Sequence, residues 1–110
     1  MIAVIFEVTM KDGQAARYFE MAANLKPLLE EIDGFISVER FESTTVSGKY
    51  LSLSFWRDQA AVAAWRDQAE HGLAQGLGKS EIFADFRIRV ASVLRDYSLA
   101  DRTYTNGHKE

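Results

Sequence analysis

The sequence predicts an α+β fold in which one antiparallel sheet carries two helices on one side. Apolar residues alternate along four segments and recur at helical spacing along two others. The six follow in the order strand, helix, strand, strand, helix, strand. Within 110 residues, 47% of them hydrophobic, they make one compact domain and leave no room for a second.

Residues 2–9 alternate: Ile2, Val4, Phe6 and Val8 point one way, and Ala3, Ile5, Glu7 and Thr9 the other. Lys11-Asp12-Gly13 then signals a turn. Residues 14–32 change to helical spacing, with Ala15, Tyr18, Phe19, Ala22, Leu25, Leu29 and Ile32 forming one stripe. Pro27 lies inside this helix and predicts a kink near Ala23, because it lacks a donor and crowds the preceding turn. Asp33-Gly34 ends the helix with a residue that tolerates left-handed backbone.

Residues 35–44 and 49–57 alternate again, and Ser47-Gly48 between them reads as a hairpin turn. Tyr50, Ser52, Ser54 and Trp56 share one face of the second of these strands; Leu51, Leu53, Phe55 and Arg57 share the other. Asp58 is suited to cap a helix from about residue 59, with Ala61, Val62, Trp65 and Ala69 as its apolar stripe. Asp67-Gln68-Ala69-Glu70 has the form of a capping box and predicts a break, with a second short helix reaching Gln75 and stopping at Gly76-Leu77-Gly78. Residues 83–97 read as the longest strand, with a bulge where Ser92-Val93-Leu94 breaks phase. The domain accordingly spans residues 1–98, and 99–110 form a polar tail.

This order is the ferredoxin-like split β-α-β arrangement. Two helices cover one face of the sheet, and the other keeps apolar residues such as Ile5. A bare apolar sheet face is costly in water, so a second copy packed sheet to sheet about a two-fold axis, a homodimer, is the expected remedy.

Composition removes several function classes. With no cysteine there are no disulfides, thiolate zinc sites, iron–sulfur clusters or Cys nucleophiles. Two histidines make a protein-built transition-metal site unexpected. Thirteen basic against sixteen acidic residues give net −3, without the basic footprint of a nucleic-acid binder. No run approaches the ~18 apolar residues of a membrane span. The opening MIAVIFEVTM lacks the basic region and cleavage site of a signal peptide, so a cytoplasmic location is expected.

Gly34-Phe35-Ile36-Ser37-Val38-Glu39, Leu53-Ser54-Phe55-Trp56-Arg57-Asp58, Ala64-Trp65 and Glu70-His71 together resemble the antibiotic-biosynthesis monooxygenase domain family, over roughly residues 1–98. The resemblance implies a dimeric α+β barrel with a ligand cavity between each sheet and its helices. Some members oxygenate phenols or anthrones without metal or flavin, others degrade haem, and others oxidise quinols. In anthrone-oxygenase-like members an Asn stands four residues before the helical Trp and a Tyr six residues after; the corresponding residues here are Ala61 and His71. Where haem-degrading members have an Asn on the first strand and a ligating His after the Trp, this chain has Glu7 and Gln75, which disfavours haem chemistry.

Each candidate residue has two readings. Trp65, which matches the helical Trp, is either a core residue or a cavity wall that stacks on a flat ligand. His71 lies about 120° around a regular helix from Trp65, a flank position. A helix restart at Asp67 would instead turn it to the cavity, where an imidazole suits removal of a phenolic proton near neutrality. Arg87 and Arg89 share a strand face and either pair with Glu7 or Glu39 or, as assigned to Arg87, stabilise an enolate or phenolate. Arg40 and Arg57 take the ion-pair reading. Tyr18, Trp56 and Tyr50 join Trp65 as substrate-binding candidates, with no metal ligand assigned.

The function read from the resemblance is cofactor-independent monooxygenation of a small phenolic, quinol or anthrone-type aromatic molecule by dioxygen. The alternative is a non-catalytic small-molecule-binding or stress-response protein on the same fold.

Overall fold

The first strand alternates because a neighbour runs antiparallel on each side of it. β1 (Ile2–Met10) pairs with β3 (Lys49–Trp56) along one edge and β4 (Phe83–Ser92) along the other. β2 (Phe35–Glu42) pairs antiparallel outside β3, so the sheet order is β2-β3-β1-β4. α1 (Ala15–Glu30) links β1 to β2, and α2 (Gln59–Gln75) follows β3. A short α3 (Leu99–Thr103) lies beyond β4. The computed structural model describes residues 1–75 and 82–103, with side chains other than those of residues 69–75, 102 and 103. No helix among the described residues is long and apolar enough to cross a membrane.

Register assigns the faces. Ile2, Val4, Phe6 and Val8 stand opposite Trp56, Ser54, Ser52 and Tyr50 on β3, and opposite Ser92, Val90, Ile88 and Phe86 on β4. This face meets the helices and holds the core in two clusters. At one end Ile2, Val4 and the fully buried Trp56 pack on Leu29, Ala61 and Val62. At the other, Val8 and Met10 pack on Tyr18, Ile82 and Phe83. Burying one large apolar side chain contributes about 1.5–3 kcal/mol, so each cluster is a substantial anchor.

The opposite face carries Ile5, Leu51, Leu53 and Phe55, all half-buried, and Phe41 on β2, which is exposed. Glu7 sits among them and takes Lys49 at 3.0 Å and Arg89 at 2.5 Å, one from each neighbouring strand. The hydrogen bond from Lys49, with the charge of both cations, holds the Glu7 carboxyl below its usual range. This is the cross-strand pairing expected of Arg89.

Three expectations change. α2 runs unbroken through Asp67 to Gln75, because Ala61, Val62 and Trp65 keep one stripe docked and no proline interrupts it. β4 stops at Ser92 rather than reaching residue 97, and the irregularities in register fall elsewhere, between Thr9 and Met10 and between Phe35 and Ser37. Leu99–Thr103 is helical where a featureless tail is predicted: Ser98 caps it, its backbone N–H and hydroxyl both donating to the Asp101 carboxylate at 2.9 and 3.1 Å. Gly76-Leu77-Gly78 and residues 104–110 lie outside the described residues.

The junction between α1 and β2 fixes where α2 begins. Arg57 holds Asp33 with two bonds of 3.0 and 3.1 Å, and its Nε reaches Asp58 at 3.1 Å. Asp58 caps α2 by accepting the Ala61 N–H at 3.0 Å. Between these groups Gly34 adopts φ +96° and accepts the Arg57 N–H at 2.7 Å. A Cβ on Gly34 would lie 2.8 Å from the Ala61 Cβ, so backbone and space both require glycine. Gly48 has φ +75° with nothing near its missing Cβ. Gly34→Ala is therefore expected to cost more stability in urea unfolding than the about 1–3 kcal/mol of backbone strain alone. Gly48→Ala should cost only that strain, and equal losses in the two variants would remove the close approach of α2 as a constraint.

Candidate functional site

A cavity of about 330 Å³ lies between the two core clusters, at the small end of the ~300–1,000 Å³ range of ligand pockets. Its floor explains why it exists. On the helix-facing side of β3 the residues between Tyr50 and Trp56 are Ser52 and Ser54, both in the lining. Two small side chains at mid-strand leave volume that the helices above do not fill. Phe6 on β1 completes the floor.

α1 supplies Tyr18, Met21 and Leu25 to the wall, and α2 supplies Val62 and Trp65. Trp65 also leans on Trp56, ring centroids 6.2 Å apart, and Phe35 meets Trp56 edge-on at 5.2 Å. The aromatic chain runs from the Gly34 junction to the cavity. The open side lies along edge strand β4, where Phe86, Ile88 and Val90 line the cavity and remain 42–48% exposed.

The polar groups in this wall are few and mostly donors. Ser54 is buried, and its oxygen accepts the Trp56 indole N–H at 2.9 Å, which satisfies a fully buried donor. Arg40 enters from β2 directly opposite Ser52. Its guanidinium carbon stands 6.0 Å from the centre of the Tyr18 ring. Tyr18 is 6% exposed, and burial pushes its phenol above the usual value, partly offset by a hydrogen bond and charge from Arg40. Tyr18 is therefore a neutral hydroxyl at pH 7 and not a base. The Arg40 Nε–H is buried and has no acceptor among the described residues, a situation that costs about 1–3 kcal/mol for a polar group and more for a charged one. Arg66, exposed on α2, is the other charged residue of the lining. Both are cations, and no Asp, Glu or His is among the described residues that line the cavity.

The structure brings only some of the predicted residues together. Trp65 and Tyr18 line the cavity. Trp56 is wholly inside the core and supports Trp65 from behind. Tyr50 is half-buried, edge-on to Phe19 at 4.9 Å, outside this cavity. Arg87 lies opposite Glu7, on the sheet face away from the helices, because its odd position in β4 reverses its direction. The His71 side chain is outside those described; with α2 unbroken, its backbone position is about 120° around the helix from Trp65. Arg40, for which the sequence predicts an ion pair, instead lines the cavity as one of its two cations among the described residues. Its signal was available: strand alternation puts Arg40 on the same side as Val38, facing the core.

The family model of the antibiotic biosynthesis monooxygenases matches residues 1–76. The jasmonate monooxygenase ABM of Pyricularia oryzae is 42% identical over 93 residues, 84% of this chain and 43% of that protein, so the chain spans less than half of that relative's length. The uncharacterised protein YqjZ of Bacillus subtilis is 30% identical over 101 residues, 92% of this chain and 86% of that protein. Among solved structures, Rv0793 of Mycobacterium tuberculosis superposes with a TM-score of 0.74 at 18% identity, covering 88% of this chain and 98% of that one. PA3566 of Pseudomonas aeruginosa gives 0.70 at 19%, covering 86% and 94%. At those identities the structures show a shared fold.

Proposed function

This chain belongs to the antibiotic biosynthesis monooxygenase family, and from that premise we propose that it is a monooxygenase acting on a small, largely apolar molecule held in the cavity between sheet and helices. The observation that carries the reading is the cavity itself, walled by Trp65, Phe6 and Tyr18 and lying between sheet and helices as the family resemblance implies. A relative 42% identical is named a monooxygenase, which supports the reaction type. The proposed substrates remain phenolic, quinol or anthrone-type aromatics.

In the proposed reaction the substrate supplies both electrons. Removal of a proton from an activated C–H leaves an electron-rich anion. The anion passes one electron to dioxygen, and the radical pair joins to form a C–O bond. The peroxide anion so formed takes back the proton, and the hydroperoxide loses water and leaves a carbonyl, so one oxygen atom enters the product and the other leaves as water. The protein's part is to position the substrate and keep the anion dry, which an aromatic wall does. Trp65 stacks on the ring; His71, whose backbone position on the unbroken α2 lies about 120° from Trp65, takes no part in this reading.

We also propose that a second copy covers the outer face of the sheet. Ile5, Leu51, Leu53, Phe55 and Phe41 form an apolar surface there beside the Glu7 ion pairs, Arg87 and Glu39. Light scattering at micromolar concentration is expected to give twice 12.4 kDa. A single species at the monomer mass contradicts the pairing.

Oxygen uptake with a panel of anthrones and quinols tests the activity. Uptake above the spontaneous rate is expected, falling at least about tenfold in Trp65→Ala, since small misplacements of substrate already cost that much. No uptake with any member of the panel would leave a binding protein in place of an oxygenase. Uptake unchanged in Trp65→Ala would remove that residue from the reaction.

A further inference from the structure

We propose that the cavity takes an amphipathic anion, an apolar body ending in a carboxylate, and that Arg40 anchors the carboxylate. The proposal rests on the cavity being the substrate site and names the class of molecule that fits it.

The chain as a whole carries net −3, yet the charged residues of the described lining are Arg40 and Arg66, both positive. Two arginines elsewhere show the contrast: Arg57 holds Asp33 and Asp58, and Arg89 holds Glu7. Arg40 faces no carboxylate among the described residues. Its neighbour is Tyr18, to which it gives a hydrogen bond, and its Nε–H has no acceptor among the described residues. Across the strand pair stands Ser52, whose hydroxyl faces the same cavity. Tyr18 is a protonated phenol at neutral pH.

These groups make a donor set in which the Arg40 Nε–H lacks an acceptor among the described residues, and a carboxylate oxygen would supply one. The planar guanidinium offers paired, parallel N–H donors that match the two oxygens of a carboxylate, and a low-dielectric apolar surround strengthens the contact. Ser52 can donate a further hydrogen bond to the same oxygens. Phe6, Met21, Leu25, Trp65 and Ile88 offer apolar surface for the body of the molecule. Arg66, exposed near the mouth, adds attraction during entry.

The test compares 4-phenylbutyrate with its methyl ester, read by the quenching of tryptophan fluorescence. On the unaltered protein the acid is expected to bind at least about tenfold more tightly than the ester, the value of one charge-assisted hydrogen bond. Arg40→Met is expected to bring the two probes level while the ester's affinity stays, and Arg40→Lys to recover part of the preference. Equal binding of acid and ester to the unaltered protein, or no saturable binding of either, overturns the proposal without recourse to a variant. An acid preference that survives in a folded Arg40→Met protein also overturns it. Acid preference without oxygen uptake leaves the carboxylate site standing and removes the oxygenase reading; uptake on neutral substrates with no acid preference does the reverse.

Discussion

Ser52 and Ser54 sit at the centre of the helix-facing side of the sheet, where a packed domain would place bulky side chains. Protein interiors are ordinarily filled to the density of organic crystals, and a missing side chain leaves a void that the surrounding elements close only in part. Here the elements are held apart instead. The cluster around Trp56 props α2 and the end of α1 at one end, and the cluster around Tyr18, Ile82 and Phe83 props the start of α1 at the other. The cavity is the space that two well-packed ends and a small-residue middle enforce. One of the serines has a second duty, since Ser54 satisfies the buried Trp56 indole and so stabilises the larger of the two props.

The family-resembling motifs act mainly on this framework. Gly34-Phe35 and Trp56-Arg57-Asp58 meet at one corner, where a glycine allows close approach of α2, a bidentate ion pair ties Asp33 to Arg57, and Asp58 caps the helix. The ion pairs at this corner are solvent-exposed, which limits their energetic weight. Their geometric effect is larger: they set the start of α2, and Trp65, one and a half turns on, thereby reaches both the core and the cavity wall. The two readings of Trp65 as core residue and as cavity wall are thus both met by one side chain packed on Trp56 and open to the cavity.

Much of the architecture was legible in the sequence because strand and helix periods differ and because glycine marks the turns. Gly13, Gly34 and Gly48 all take positive φ where turns or helix ends were read. The helix break at Asp67 is not seen because a capping box is a local pattern, and α2, docked through Ala61, Val62 and Trp65, runs on through it. The site was less legible. Alternation says that Arg40 and Arg87 each point to one side of their strands, but only the pairing register says which side meets the helices. Arg87 falls on the outer face and Arg40 on the inner one. Trp56 was legible as inward-facing, yet inward includes both core and cavity, and packing against Phe35 and Val62 decides between them. The serines were seen to share that face, but a gap is visible only once the elements flanking it are in place.

Ligand binding in this gap can be located directly by nuclear magnetic resonance of the isotopically labelled protein titrated with 4-phenylbutyrate. The indole N–H of Trp65 and the backbone amides of Arg40 and Ser52 are expected to shift together, with those of Arg87 and Arg89 on the far side of the sheet left in place. Shifts centred on Arg87 and Arg89, with Trp65 and Arg40 unmoved, would put the ligand on the opposite face and contradict the assignment of the site.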